Sequence, residues 1–368
     1  MYEFSLINPK REAWSLMNIK LSGGRQAPVS SIGVAQAASL IARTQRPDGE
    51  IPWCEGQKTD PWDHIESAMG LSVGGYLGEA RRAFEWLAGK QLDDGSWYTA
   101  YRQGVAEDKT RDANLSCYIA VGVLHYYLIT KDTAFLKEMW PTLSKAIEFA
   151  LSLQTPSGEI YWAISPEGNV DRMALLTGSS SIYMSIKCAL AIAKILGFFM
   201  PPWEIALNKL AEAIKHKPYL FNMTKSRYSM DWFYPILSGV ITGDDAQKRL
   251  DKYWKKFVVE DRGVRCVSDK PWVTIAETSE LALALAGMGN HELAGIVFNW
   301  ICDRRYEDGS YWCGFTCPDL VIWPEDKITW TNAVALIAAD AICNLTPASV
   351  LFSHQFWATS ELSPFVAS

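Results

Sequence analysis

Residues 81–97, RRAFEWLAGKQLDDGSW, decide the fold. An amphipathic run over 79–90 ends in Gln91, two acids and Gly95, and Trp97 follows two residues later. The glycine suits the left-handed turn that closes a helix, and the indole can then pack back across the helix end. The phrase recurs as TQRPDGEIPW (44–53), LQTPSGEIYW (153–162) and RRYEDGSYW (304–312), where Arg305 stands in place of Gln. These copies follow amphipathic segments 31–44, 133–153 and 292–303, so four helix ends share one stop signal.

A second, more apolar set of helices lies between them, rich in Ala, Leu and Met, starting near Asp63, Asp112, Ser179, Asp231, Glu277 and Trp330. They alternate with polar-faced helices over 31–45, 78–91, 132–154, 201–216, 243–257 and 291–304, which makes twelve helices in six hairpins. Apolar helices need cover on every side, so they form an inner layer and the amphipathic ones an outer layer. No alternating strand pattern of convincing length competes. The expected fold class is all-α, a single (α/α)6 toroid over 31–343. An irregular segment, 1–30, precedes it. An aromatic tail, 344–368, with Leu351, Phe352, Phe356, Trp357 and Phe365, is expected to close the outer wall.

The chain has 368 residues, 49% hydrophobic and 21% charged, with a net charge of -6, so it lacks the field that a phosphate backbone would need. No nucleic-acid partner is expected. MYEFSLINPKREAWSLMN at the start carries charges and a proline where a secretory signal would be apolar, which predicts a cytoplasmic protein. The apolar stretch 182–200 contains Lys187 and Lys194 and reads as a buried helix, so no membrane span is expected. Eight scattered cysteines read as buried thiols, and the Cys313/Cys317 pair lacks a second pair or a nearby His, so no metal is expected. SGGRQ (22–26) and GSSS (178–181) match neither a P-loop nor a dinucleotide fingerprint, and no cofactor is implied. Oligomeric state is left open.

On these residues, the repeats resemble the QW motif of squalene cyclases and protein prenyltransferases, with 81–97 the best match, over roughly 31–342. WPTLSKAIEFALSLQTPSGEIYWA (140–163) also resembles the outer-helix-plus-turn segments of glucoamylase-like six-hairpin glycosidases. Both resemblances imply the toroid, and a barrel does not by itself name a reaction. The chain departs from the first group: it has no DxDD, no DDxxD, and no Asp, Cys and His zinc set around Cys266, Cys313 or Cys317.

Polar residues in helices that bury nearly all their surface are informative, and they gather at the helix starts: TDPWDHIESAM (59–69), KTRDANLSCY (109–118), LLTGSSSIYM (175–184), RYSMDWFYP (227–235), DKPWVTIAETSEL (269–281) and ITWTNAV (328–334). If the inner helices run parallel, these starts converge on one acidic, aromatic mouth. Asp60, before Pro61 and Asp63, reads as an N-cap, as do Thr110, Ser229, Ser268 or Asp269, and Ser179 to Ser181. Capping explains Glu66, Glu277 and Glu280 less well. Asp63 and Glu66 share a helix face, as do Glu277 and Glu280. The catalytic candidates are Asp63, Glu66, Asp231 and Glu277; the substrate-binding candidates are Trp62, His64, Arg111, Asp112, Asn114, Trp232, Tyr234, Trp272, Glu280 and Trp330. The competing reading makes the acids salt-bridge partners of Arg111, Arg227 or Arg265, and gives the turn-motif Trp residues and His64 packing roles.

Paired carboxyls across a cavity suit glycoside hydrolysis, in which one protonates the leaving oxygen and the other activates water. Glu277 is the expected acid, because VTIAETSELALAL (273–285) is an apolar setting that favours the neutral carboxyl; Asp63 or Asp231 is then the base. The expected substrate is a small molecule, a sugar or glycoside. The first alternative is a cyclase or prenyltransferase-like enzyme acting on an isoprenoid, and the second a noncatalytic ligand-binding toroid.

Overall fold

The computed structural model describes residues 33–364. Segment 1–30, the first residues of the expected 31–45 helix, and Phe365 lie outside the described residues. Along the chain run α1 (Val34–Thr44), α2 (Pro61–Val73), α3 (Leu77–Lys90), α4 (Ala113–Cys117), α5 (Ile119–Thr130), α6 (Thr133–Ser152), α7 (Leu176–Leu196), α8 (Pro201–His216), α9 (Ser229–Leu237), α10 (Gly243–Phe257), α11 (Ile275–Gly287), α12 (His291–Asn299), α13 (Thr329–Cys343) and α14 (His354–Thr359). The inner helices are α2, the broken pair α4 and α5, α7, α9, α11 and α13. They touch in a closed series: α2 packs on α5, α5 on α7, α7 on α9, α9 on α11, α11 on α13, and α13 on α2. The amphipathic helices α1, α3, α6, α8, α10 and α12 lie against them from outside.

The repeated turn explains how neighbouring outer helices are fixed. The Gln91 amide donates to Gly95 O at 2.9 Å, closing its own turn, and to Thr142 O of α6 at 2.8 Å. Gln45 binds Gly49 O and Glu79 O of α3 in the same way, and Gln154 binds Gly158 O and Ala206 O of α8. Gly95 has φ +90, and a Cβ there would stand 2.2 Å from Lys145 O, so the turn sits flush on α6. The Trp97 indole folds back to donate to Leu87 O of α3 at 2.7 Å. In the fourth copy Arg305 donates instead to Cys302 O and to the Tyr311 hydroxyl.

The all-α expectation needs one correction, because short strands are present: β1 (Ala100–Arg102), β2 (Val105–Asp108), β3 (Arg111–Asp112), β4 (Ala163–Ile164), β5 (Val170–Asp171), β6 (Val258–Val259), β7 (Gly263–Arg265), β8 (Trp272–Thr274) and β9 (Gly314–Thr316). They pair antiparallel as β1-β2, β3-β4-β5 and β6-β7-β8-β9. None exceeds four residues, too short for a two-residue period to stand out. All lie in connections that run from an outer helix to the next inner one, so they frame the end where the inner helices begin.

The opposite end is covered by the tail, rather than the outer wall as expected. Thr346 binds Asp340 of α13 through its N–H and its hydroxyl, and the turn Pro347–Val350 packs on α5 and α13. Phe352 O lies against Gly287 of α11, and the His354 ring meets Ile236 O of α9 at 2.8 Å. The Trp357 ring sits 4.5 Å from Lys187 Nζ of α7. Lys187 is buried, donates to Ser238 O at 2.9 Å, and burial pulls its ammonium down to about 7. Helix α7 is long and apolar enough to cross a bilayer, but 83% of its most apolar window is buried within the chain's own core.

Candidate active site

A cavity of about 510 Å³ opens at the end where the inner helices start. All six inner positions of the ring reach it: Trp62, Asp63 and Glu66 from α2, Asn114 and Leu115 from α4, Ile182 from α7, Met230 from α9, Glu277 and Glu280 from α11, and Trp330 from α13. The starts therefore converge, as their polar residues suggested. Asp60 is the N-cap of α2: its Oδ1 accepts the Asp63 N–H at 2.9 Å and its Oδ2 the Trp53 indole N–H at 2.7 Å, with Pro61 next in chain. That cap fixes the first turn of α2 and so aims Asp63 into the cavity. Glu277 lies in the first turn of α11, and its carboxyl accepts the hydroxyl of the N-cap residue Thr274. Glu66 and Glu280 lie three residues deeper on the same two helices.

None of these four carboxyls has an ion-pair partner among the described residues. Of the arginines of the competing reading, Arg111 pairs with Asp94 and Arg227 with Asp269, and Arg265 sits in β7 with no carboxylate partner among the described residues. Burial holds the Asp63 carboxyl well above the usual carboxylate range, and the adjacent Asp60 adds to the effect while Lys58 opposes it. Asp63 keeps some exposure, and it is to the cavity. Burial pushes Glu66 up to about 7, against hydrogen bonds from Trp62 and Tyr118; the Tyr118 hydroxyl donates to its Oε1 at 3.3 Å. Glu280 is raised well above its ordinary value by burial, then by Glu66 and Glu277. Burial outweighs Lys58 at Asp63, and Asp63, Glu66 and Glu280 resist charging and so retain protons.

Six sequence-predicted residues are not brought to the cavity. Asp231 turns away, its Oδ1 accepting the Thr177 N–H and hydroxyl at the start of α7, and it borders a separate hollow of about 140 Å³. Trp232 stacks on Phe257 of α10 at 5.3 Å and donates to Arg249 O. His64 is fully buried, accepting the Ile51 N–H at Nδ1 and meeting Ala83 O at Nε2, and burial lowers it to about 4. Arg111 holds the turn-motif Asp94. Trp272 donates to Trp323 O and packs edge-on to that ring. Tyr234 lies behind the floor, 5.6 Å from the Trp62 ring, which itself stacks on Tyr118 at 4.4 Å. Asp112 does line the cavity, as the N-cap of α4 in place of Thr110; it accepts the Asn114 and Leu115 N–H groups, and burial still lifts it to about 6.

Sequence reasoning missed several lining residues. Trp162 belongs to a turn motif and Ser179 was expected to cap α7, yet both line the cavity, Ser179 being the fourth residue of its helix. Thr110, expected as a cap, lines it too, whereas Lys58, Thr177, Leu115, Ile182 and Met230 carried no sequence signal beyond nearness to a helix start. Asn114 Oδ1, Trp162 Nε1, Ser179 Oγ and Trp330 Nε1 are buried without a protein partner, which a polar ligand or water at the wall would relieve.

The chain is 48% identical over 317 residues to the MMP endo-(1,4)-3-O-methyl-α-D-mannosidase of Mycolicibacterium hassiacum, spanning 86% of this chain and 88% of that protein. It belongs to this mannosidase family. The chain is a glycoside hydrolase, which decides between the chemistries that the sequence left open: the isoprenoid and noncatalytic alternatives fall away. No family model matches. Among solved structures, a glycosidase variant in complex with glucose superposes with a TM-score of 0.65 at 15% identity, covering 86% of this chain and 98% of that one. A GH63 mannosylglycerate hydrolase of Thermus thermophilus, in complex with glucose, does so with 0.65 at 12% identity, covering 82% and 98%. At those identities the likeness is one of fold.

Proposed function

We propose that this chain is an (α/α)6 toroid that cleaves internal α-(1→4) bonds in a glycan of 3-O-methylmannose, with Asp63 as general acid and Glu277 as general base. The substrate follows the activity of the mannosidase to which the chain is 48% identical. The closed series of inner helices supports the toroid. One observation carries the mechanism: carboxyls from α2 and α11, helices separated in the ring by α13, line one cavity with no cation paired to either.

Asp63 is the proton donor, since burial and Asp60 hold it neutral. Glu277, oriented by the Thr274 hydroxyl, accepts a proton from water. Water oxygen attacks the anomeric carbon as Glu277 takes its proton, the carbon–oxygen bond to the leaving sugar breaks, and Asp63 protonates that oxygen. Solvent exchange then restores both carboxyls. Attack opposite the leaving group inverts the anomeric centre. Eight free thiols support a place in the reducing cytoplasm.

The test is hydrolysis of a synthetic 3-O-methyl-α-(1→4)-mannooligosaccharide followed by proton NMR. The β-anomer is expected as the first-formed reducing end. An α-anomer formed first would refute Glu277 as a base acting through water, and absence of cleavage would refute the substrate.

A further inference from the structure

The proposed reaction uses Asp63 and Glu277 and leaves Glu66 and Glu280, which line the same cavity from α2 and α11, without a task. These two acids are held differently. The Tyr118 hydroxyl donates to Glu66 Oε1 at 3.3 Å, Trp62 adds a further bond, and the Tyr118 and Trp62 rings stack at 4.4 Å. Glu280 is only 6% exposed, yet among the described residues its carboxyl makes neither a hydrogen bond nor an ion pair. On another wall, Ser179 of α7 is 2% exposed and its Oγ reaches no protein group. Buried polar groups left open on two walls of one cavity call for partners that arrive with a ligand. The titratable groups that face Glu280 are Glu66 of α2, Glu277 of its own helix, Tyr118 at the start of α5, Tyr234 of α9 and Cys266 beyond β7, while α13 presents Trp330. None is a cation. Burial holds the proton on Glu280, and a charge on Glu66, which Tyr118 and Trp62 favour, holds it more firmly.

We propose that Glu280 binds the substrate as a neutral acid, donating its hydroxyl to an oxygen of the sugar in the cavity, and that Glu66 is the positioning residue that keeps it in that form. The proposal rests on the hydrolase reading above. Sugar hydroxyls donate or accept, but ring, glycosidic and ether oxygens only accept, and so does a carboxylate. A cavity walled by charged carboxyls would leave those oxygens without donors once water is expelled. A neutral Glu280 supplies a donor about one helical turn below Glu277, which leaves Asp63 free to protonate the leaving oxygen. Glu66, engaged by Tyr118, takes the negative charge in its place.

The test measures kcat/KM on a 3-O-methyl-α-(1→4)-mannooligosaccharide for the full chain and its Glu280→Gln and Glu280→Met variants. The amide keeps a donor and an acceptor in nearly the same place, whereas the thioether keeps only the bulk. Glu280→Gln should stay within severalfold of wild type, and Glu280→Met should fall about 10- to 100-fold, the loss for a buried oxygen deprived of its donor. Infrared difference spectra of Asp63→Asn protein, with and without Glu280→Gln, then read the Glu280 carboxyl directly. The expected signature is a neutral-acid carbonyl band that shifts when the oligosaccharide binds. Adding Glu66→Gln should make that band titrate at lower pH, a change that a purely structural role of Glu66 would not produce. A Glu280→Met variant as active as wild type, or Gln and Met variants equally impaired, would overturn the proposal and leave the hydrolase reading intact. A carboxylate band in place of the neutral one would overturn it as well, and a band that titrates alike with and without Glu66 would overturn the role of Glu66. Failure of the wild type to cleave the oligosaccharide removes the substrate reading, and this proposal with it.

Discussion

Replacing Asp63 by Asn removes the proposed proton donor and keeps its shape. General acid assistance is worth ~10²–10⁴-fold, about 3–5 kcal/mol of barrier, so kcat on a natural glycan should fall by that factor. No neighbour can take over. Asp60 is committed through both oxygens, to the Asp63 N–H at 2.9 Å and the Trp53 indole at 2.7 Å, and Glu66 lies a turn deeper. The assay pairs the natural oligosaccharide with one carrying a dinitrophenol leaving group, which departs without protonation. On that substrate the Asp63→Asn deficit should shrink to within about tenfold, because acid assistance is no longer needed. Glu277→Gln should be impaired on both, since water must still be activated. Folding is checked by circular dichroism and thermal melting; Asp63→Asn should melt no lower than wild type, because it removes a buried carboxyl crowded by Asp60 and Glu66. A deficit for Asp63→Asn that persists with dinitrophenol, alongside a Glu277→Gln deficit that vanishes, would reverse the two roles. That outcome would reinstate the assignment drawn from sequence.

Glu66 offers a stability test with a defined sign: the native carboxyl keeps its proton to about pH 7, the unfolded one only to about 4.5, so the native state binds more protons in that window and loses stability as pH rises through it. Glu66→Gln should therefore raise stability by roughly 2–3 kcal/mol more at pH 8 than at pH 5, measured by melting at both. Trp357→Ala empties a site at the end opposite the cavity and should cost about 3–5 kcal/mol in a urea titration, with kcat/KM unchanged below the transition. Gln91→Ala leaves the carbonyls of Gly95 and Thr142 without their donor and should cost about 2–3 kcal/mol, while the exposed Asp93→Ala in the same turn should stay within about 0.5. Equal effects at Gln91 and Asp93 would sink the idea that the motif staples adjacent outer helices.

The helices were legible because their two layers differ in composition and because Gln, Gly and Trp mark where the outer ones stop. The repeat itself was read correctly as a helix end, but its chemistry is architectural: Gln45, Gln91 and Gln154 bind backbone carbonyls, a role that any enzyme on this scaffold can use. The position of the site along the helices was also legible, since acids in apolar helices clustered at their starts. Direction around each helix was not. Successive residues turn by about 100°, so Met230 faces the cavity while Asp231, next in the chain, faces Thr177 and Trp232 faces α10. Asp231 and Trp232 belong to a nine-residue helix with Pro235 inside it, too short to reveal which face is inward. Trp97 follows its turn glycine by two residues and packs on α3, whereas Trp162 follows Gly158 by four and lines the cavity, so the Trp of the repeat does not hold one place. The extended connections that carry the chain from the turn to the mouth contain strands of only two to four residues, which leave no pattern to read.

On the proposed mechanism, the acids without an ion-pair partner are those that handle protons. A carboxyl buried for structure is held by a cation or by several N–H donors, as Asp60 and Asp112 are. Glu66 and Glu280 have no ion-pair partner among the described residues and no cap to hold; burial raises the proton affinity of both, and Glu66 raises that of Glu280 further. Apolar residues of similar size would make the ring more stable, because a buried carboxyl, even neutral, is costly without full hydrogen bonding. The cost is therefore placed where a proton must be moved, and stability is supplied elsewhere: by the stapled outer turns and by the tail that closes the far end through Trp357 and Lys187. Mutations at those remote places should change melting without changing the pH profile, whereas mutations in the acid set should move the profile and leave melting equal or higher. A variant of Glu66 or Glu280 that lowered stability at pH 8 would contradict this division.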